Sequence, residues 1–589
     1  MARTSRVALA ALTALGLAPG LMASPPAHAG PFNGSALTNF DRATPATASV
    51  YITVQSTSAV QSGNLTRIGG ILGPKFAAAI NGAAGGGGSG SSSGAASITA
   101  VVGRFKSVFN GEYGIAAILG SGKSASQPNA LIELGLQPGM NAQGLQASLA
   151  LLGMTAKPKG TYHGIALASI DLGALAGAAG GLTGGAAGGL PSTGASSPSA
   201  YLGVLGNDAV VGTSLPTLKA SIDAYTGSAP SVDKSAAFAK TVGKLPAGRF
   251  MTTFVNITSS EESALSSLTS IAGSKVGAKV KGCGAPVAAA PGSFSVAAAL
   301  SAQTDGILFT TSPQYSSGSL ATMTSFKGTS NAAAALFPAN AIGFASLGDL
   351  GSLASEIVLA LQKSSALSSV NCAASDPFKA FTKATGLDLN ADVLSWMHGE
   401  LSVALLPIGS PTAYKDKGDP LASTSVVIAL KVQNQGLAQA KLTKIIAALN
   451  SHSAKADKVR VIVVPGPGGV SLHVASKSPT GLGYAFYKGY LLVSSALPAD
   501  LGAMQKGGAG AVPAMNAALL HFGGGPYSGT FYLNLTNLRL LVERVATASG
   551  TDMKSYNSTA KPLLVPFKSL SAVIYAKTGA TGMFIGISK

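Results

Sequence analysis

Two glutamates come first among the residues whose type and placing could do chemistry. Glu112 and Glu400 each follow a glycine in stretches that align, Val108–Ala116 with Trp396–Ala404. One carboxylate at the same place in two copies could hold a ligand in each. The same acid at the entry to a strand could equally satisfy nearby backbone amides. No second carboxylate keeps a fixed spacing to it in both copies, which argues against paired acid–base catalysis. His163 and His473 also roughly coincide, and each reads as lying inside a strand. A metal or pH-sensing role competes there with a plain strand-face histidine. His28, His398, His452 and His521 have no counterpart in the other copy, and no H-x-x-x-H spacing occurs. The expectation is therefore no metal and no cofactor.

Several short motifs imitate enzymes and fail on context. Gly120–Ser124 ends like a phosphate-binding loop, but Ala117 stands where its first glycine belongs, between two strand patterns. Lys577–Gly579 resembles a K-T-G element and Ser231 to Lys234 a Ser-x-x-Lys, yet no Ser-Asp-Asn accompanies them. The aligned positions of the first copy are Gln303–Asp305, so a hairpin turn is the simpler reading. Asn256–Thr258 and Asn534–Thr536 match a glycosylation sequon at strand positions in both copies, which favours packing. Cys283 and Cys372 are the only cysteines. An even pair reads as one possible disulfide in an oxidising compartment, with two buried thiols as the alternative.

That compartment is suggested by the N-terminus. Arg3 and Arg6 precede an apolar run, Val7–Ala18, and Ala27–Ala29 forms a small-x-small site before Gly30. Residues 1–29 are expected to be a cleaved secretory signal, the run being too short to span a bilayer. No later segment reads as a transmembrane helix. The chain has 589 residues, 47% of them hydrophobic and only 11% charged, against roughly 25% charged in an average domain. Its formal charge is +18, from 40 basic and 22 acidic residues. No run of four basic residues occurs and lysines far outnumber arginines, so specific nucleic-acid reading is not expected. Dispersed lysines suit loose attraction to anionic surfaces.

The elements that must position these residues come from a repeat. Beyond the glutamate blocks, Ala130–Leu136 matches Val426–Val432, Tyr201–Ser214 matches Tyr484–Ser495, Phe250–Thr258 matches Gly529–Thr536, and Phe294–Thr310 matches Leu570–Ile587. The order predicts module one at 40–325 and module two at 331–589. Module one also carries Gly/Ser/Ala-rich loops near 82–94 and 174–199. Strand-length apolar runs alternate with helical spacing at Leu145, Leu149 and Leu152. Gly206–Asp208 and Tyr487–Gly489 read as hairpin turns, and Leu215–Tyr225 as a helix capped by Ser214. The predicted fold class is α+β: two homologous tandem modules, each a curved, mainly antiparallel sheet with helices packed on one face.

Leu387–Leu405 resembles a recurrent signature of the bacterial domain-of-unknown-function family 3352, whose members are exported or membrane-anchored. The phrase runs through Asp388, Asp392, Trp396, Gly399 and Glu400, and Tyr484–Ser495 resembles a hairpin of the same family. The resemblance covers most of module two and module one more loosely. Module one has Val108 where Trp396 stands and lacks the acidic lead-in. The resemblance implies no known chemistry, so it transfers no catalytic residue.

The reading that follows is an exported, non-catalytic envelope or extracellular protein. Its partner would be a lipid, an anionic envelope polymer or a protein. The alternative is an exported hydrolase whose residues lie far apart in sequence.

Overall fold

The computed structural model describes residues 39–54, 62–73, 108–118, 129–151, 155–171, 199–246, 248–257, 294–315, 328, 331–349, 351, 382–383, 385–407, 424–452, 458–476, 482–506, 512–522, 527–548, 550–576 and 580–588. The expected signal 1–29, the loop 82–94, nearly all of the loop 174–199, both cysteines Cys283 and Cys372, and the imitations at 120–124 and 577–579 lie outside the described residues. The fold mixes helix and strand, and every strand pairing with a described register is antiparallel.

Two compact units divide the chain. Unit 1 takes Met1–Leu268, Ser293–Thr304 and Phe309–Gln314, and unit 2 takes Thr269–Gly292, Asp305–Leu308 and Tyr315–Lys589. Unit 1 contains α1 (Asn39–Ala43), β1 (Val50–Val54), β2 (Phe109–Ile118), β3 (Asn129–Leu136), α2 (Ala142–Leu151), β4 (Lys157–Tyr162), β5 (Ile165–Asp171), β6 (Ser199–Leu205), β7 (Asp208–Gly212), α3 (Leu215–Thr226), α4 (Ala236–Val242), β8 (Met251–Ile257) and β9 (Phe294–Gln303). β10 (Gly306–Tyr315) follows. Unit 2 contains β11 (Gly343–Leu347), β12 (Leu401–Pro407), β13 (Thr424–Lys431), α5 (Gln435–His452), β14 (Val461–Pro465), β15 (Ser471–Ala475), β16 (Gly483–Tyr487), β17 (Tyr490–Ser494), α6 (Leu497–Lys506), α7 (Val512–Leu520), β18 (Tyr527–Asn534), α8 (Leu535–Ala548), β19 (Phe567–Tyr575) and β20 (Thr581–Ile587).

In unit 1 the strands pair in the order β9-β8-β1-β2-β3-β7-β6-β5-β4. In unit 2 the order is β20-β19-β18-β11-β12-β13-β17-β16-β15-β14. Local sequence explains the joints. Ser214 caps α3 through the Thr217 amide, and Gly227 closes it in the left-handed region at φ 81°. Lys488-Gly489 joins β16 to β17 with both φ positive, as a two-residue hairpin turn needs.

Helices pack against both faces of each sheet, covering only part of one of them, which corrects the expected packing on one face. In unit 1, Leu131 packs with Leu218 and Ile222 of α3. Leu134 and Leu136, of opposite parity on β3, pack with Leu145 and Leu149 of α2. In unit 2, Val427 and Ala429 meet Leu497, Leu501 and Met504 of α6, while Leu430 meets Leu442, Ile445 and Ile446 of α5. The reason is in β13 itself, which is apolar on both parities from Val426 to Leu430 and so needs cover on both sides.

His163 is a second correction, for it lies in no strand. With Gly164 it forms the turn between β4 and β5, at φ 48° and 75°. Histidine tolerates that left-handed conformation better than most residues. His473 sits mid-strand in β15, opposite Val463 and Tyr484, so the two histidines are not equivalent.

Two-sided cover makes a prediction on one strand. Leu430→Ala should cost about 2–5 kcal/mol in urea unfolding. Val426→Ala, on the open end of the same face and 48% exposed, should cost roughly 0.5 kcal/mol or less. Equal small losses would contradict helical cover of that face.

Candidate functional site

The signature segment is a bracket built from its own side chains. Asp388 caps the turn 389–393 by accepting from the Ala391 amide at 2.6 Å. Its own amide donates to Asp392 Oδ2 at 3.1 Å. Asp392 then accepts from Lys441 at 2.9 Å and Lys444 at 2.5 Å, both on α5. The Lys444 contact first, then Lys441 and the Asp388 amide, hold this carboxyl well below the usual carboxylate range. Trp396 donates from Nε1 to the Asp392 carbonyl at 3.0 Å and packs with Leu430, Val432, Ala438 and Leu491. The bracket therefore pins α5 to the sheet. Gly399 follows because a Cβ there would collide with the Lys431 carbonyl oxygen.

Glu400 ends the bracket and is buried. Its Oε2 accepts from the Ala332 amide at 3.1 Å, and Oε1 from the Ala333 amide at 3.3 Å. Ser346 Oγ and Ser402 Oγ lie 3.0 and 3.1 Å from Oε1. One carboxylate thus ties the 332–336 turn to β11 and β12, with donors on both oxygens. Tyr490 nearby has its hydroxyl pushed up to about 12, by burial first and then by the Glu400 charge.

Glu112 precedes Tyr113 as Glu400 precedes Leu401, and those two followers pair with the last residues of β1 and β11. Its surroundings differ. Glu112 is half-buried and bonds locally, its amide to Asn110 Oδ1 at 2.8 Å and its Oε2 from Asn110 Nδ2 at 3.2 Å.

The histidines scatter. His163 Nε2 lies 3.1 Å from Asp223 Oδ1, and Tyr162 Oη donates to the same carboxylate. His473 stacks on Tyr484 at 4.5 Å, and partial burial lowers its affinity for a proton. Among the described residues no group of three or more His, Cys, Asp or Glu side chains is placed to hold a metal ion. Ser231 donates its hydroxyl to Asp233 Oδ1. Asn534 caps α8 through the Asn537 amide.

The sequence reading missed a third acid, Glu133 on β3, which is wholly buried. Thr44 Oγ1 donates to its Oε1 at 3.1 Å. Burial raises its carboxyl well above the usual range, with Asp41 and Asp208 adding to the rise and Thr44 opposing it. The available signal was one acid inside the apolar run Ala130–Leu136, at the same parity as Leu131. Asp500 on α6 was also missed; it is buried, accepts from Ser425 at 2.6 Å and from Ser494, and is raised by burial.

Residues 121–460 match the family described as "Protein of unknown function (DUF3352)". The chain belongs to this family. The match runs from ahead of β3 to just past α5 and includes the whole bracket, while the Tyr484–Ser495 hairpin lies beyond it. No curated protein and no solved structure matches the chain. In this chain, then, the family 3352 signature is spent on caps, an ion pair and a core tryptophan.

Two outcomes follow for the acids. Glu400→Ala leaves the Ala332 and Ala333 amides and two hydroxyls without their acceptor, and thermal unfolding should register a loss of about 1–3 kcal/mol. No loss would show the network is not formed. Glu133 carries a raised folded-state pKa, so the stability it contributes is present below the ordinary glutamate range and is lost as pH rises through the folded value. Urea midpoints between pH 4 and 9 should fall less steeply in Glu133→Gln than in the parent; parallel slopes would contradict the assignment.

Proposed function

We propose that the chain is an exported, non-catalytic protein of the bacterial envelope, made of two homologous modules in tandem. Each module receives the acyl chains of an anionic lipid on the open part of its sheet. The observation that carries the binding role is an apolar row on the outward face. In unit 2 the row runs Ile428–Val403–Ala345–Phe531–Ala572 across five strands. In unit 1 it runs Ile132–Ile115–Ile52 and continues through the polar Thr253 to Ala298. Ile132, Ile428, Val403 and Phe531 are 37–39% exposed. Contiguous apolar surface of this kind marks interaction sites, and the +18 formal charge favours an anionic partner over a neutral one.

The tandem reading draws on register. Strands β1–β9 and β11–β19 pair in one order. The sequence alignments of Glu112 with Glu400, Ala130–Leu136 with Val426–Val432, and Asn256 with Asn534 fall on the same rungs. One rung reads Phe254–Tyr51–Ala116–Leu131 in unit 1 and Tyr532–Phe344–Ala404–Val427 in unit 2. Export rests on the Arg3–Ala29 pattern. Among the described residues no helix is long and apolar enough to cross a membrane. The non-catalytic role is supported by the acids and serines of the bracket, whose hydrogen bonds are made within the fold.

Sedimentation with phosphatidylglycerol vesicles tests the reading. Binding is expected to phosphatidylglycerol, to be weaker to phosphatidylcholine, and to drop at least tenfold in Ile428→Asp/Phe531→Asp. Binding unaffected by those changes, or retention by cell-wall polysaccharide or a protein alone, would overturn it.

A further inference from the structure

The inward face of unit 1 holds two buried polar atoms on the strands that flank a glycine. Thr53, Gly114 and Glu133 are neighbours on one rung of β1, β2 and β3. Thr53 and Glu133 are 0% exposed. Thr53 Oγ1 and Glu133 Oε2 have no hydrogen-bond partner among the described residues. A Cβ added to Gly114 would lie 3.0 Å from Glu133 Oε2, and its next neighbours would be Glu133 Cβ and Phe40 Cδ2 at 3.5 Å. The unpaired oxygen of Glu133 thus lies against the face of Gly114, where a side chain would otherwise stand.

Unit 2 shows how such a rung is closed. The residues there are Ser346, Ser402 and Ala429. Ser402 Oγ lies 3.2 Å from Ser346 Oγ and 3.1 Å from Glu400 Oε1. The hydroxyl at the middle position links its neighbour on β11 to the buried carboxylate. Gly114 has no hydroxyl to do this between Thr53 and Glu133.

We propose that unit 1 contains a built site for one small polar molecule, occupied by a single water that bridges Thr53 Oγ1 and Glu133 Oε2 beside Gly114. Leaving both atoms unpaired in a dry core is costly, and buried waters serve groups of this kind where two or more polar partners converge. The donors balance. Burial pushes the Glu133 carboxyl toward its protonated form, with Asp41 on α1 and Asp208 on β7 adding to the rise. The acid O–H donates to the water, and the water donates to Thr53 Oγ1.

Crystal structures of the parent, Gly114→Ser and Gly114→Ala, with their thermal midpoints, test this. The parent should show one ordered water at hydrogen-bond distance from both atoms. Gly114→Ser should show none, its hydroxyl taking over both contacts. Both variants crowd Oε2 alike, so Gly114→Ser should unfold at a higher temperature than Gly114→Ala. A direct Thr53–Glu133 bond in the parent, or equal midpoints for the two variants, would overturn the site. Should neither variant fold, Thr53→Val in place of both should lose the water; its retention at full occupancy would equally overturn the site.

Discussion

A buried carboxylate that must find its donors inside the protein is the constraint on which the rest of unit 2 depends. A carboxyl group taken out of water is tolerated only when hydrogen bonds replace the lost solvation. Glu400 meets that demand with two backbone amides and two serine hydroxyls, drawn from the 332–336 turn, β11 and β12. Those donors come from well-separated parts of the chain, so satisfying the acid fixes where they meet. The aromatic pair Phe337 and Phe344 packs close by, at 5.5 Å between rings. Unit 1 has its buried acid on a different strand, since Glu133 stands on β3 opposite Gly114 where unit 2 has Ala429 opposite Ser402. The two acids differ in surroundings as well as origin. Glu400 has donors on both oxygens, whereas burial holds Glu133 toward its protonated form.

The family signature takes on a structural meaning from this constraint. Conspicuous polar residues in a short phrase suggest a reactive site. Here each of them holds geometry instead. Asp388 caps a turn, Asp392 pairs with the lysines of α5, and Trp396 fills the core. Gly399 permits a close backbone approach, and Glu400 accepts from several donors at once. The polar groups are turned inward, and the outward sheet face is left to apolar side chains.

Local rules made part of the fold legible. Ser214 before Leu-Pro and Lys488-Gly489 between apolar runs carry their structure in adjacent residues, where capping and turn chemistry act. Glu112 and Glu400 each follow a glycine and precede a residue paired with the end of β1 or β11, a likeness carried by adjacent residues. Packing from outside the segment was not. The apolar content of β13 on both parities gave the clue to two-sided cover, but the helices that supply it are α5 and α6, on either side of the β14–β17 strands. His163 reads as a strand residue between apolar neighbours, and only the β4–β5 register shows it as a turn. Glu133 depends on Thr44, Asp41 and Asp208, partners 75 or more positions away. Spacing along the chain says nothing of such partners.

Hydrogen exchange measured residue by residue at the Ala332 and Ala333 amides tests the central claim most directly. Both donate to Glu400 at the start of a short turn, where amides would otherwise be open to solvent. The account predicts exchange there as slow as in β11 and β12, and rapid exchange at both amides in Glu400→Ala with the β12 amides still protected. Rapid exchange at both in the parent protein would contradict it.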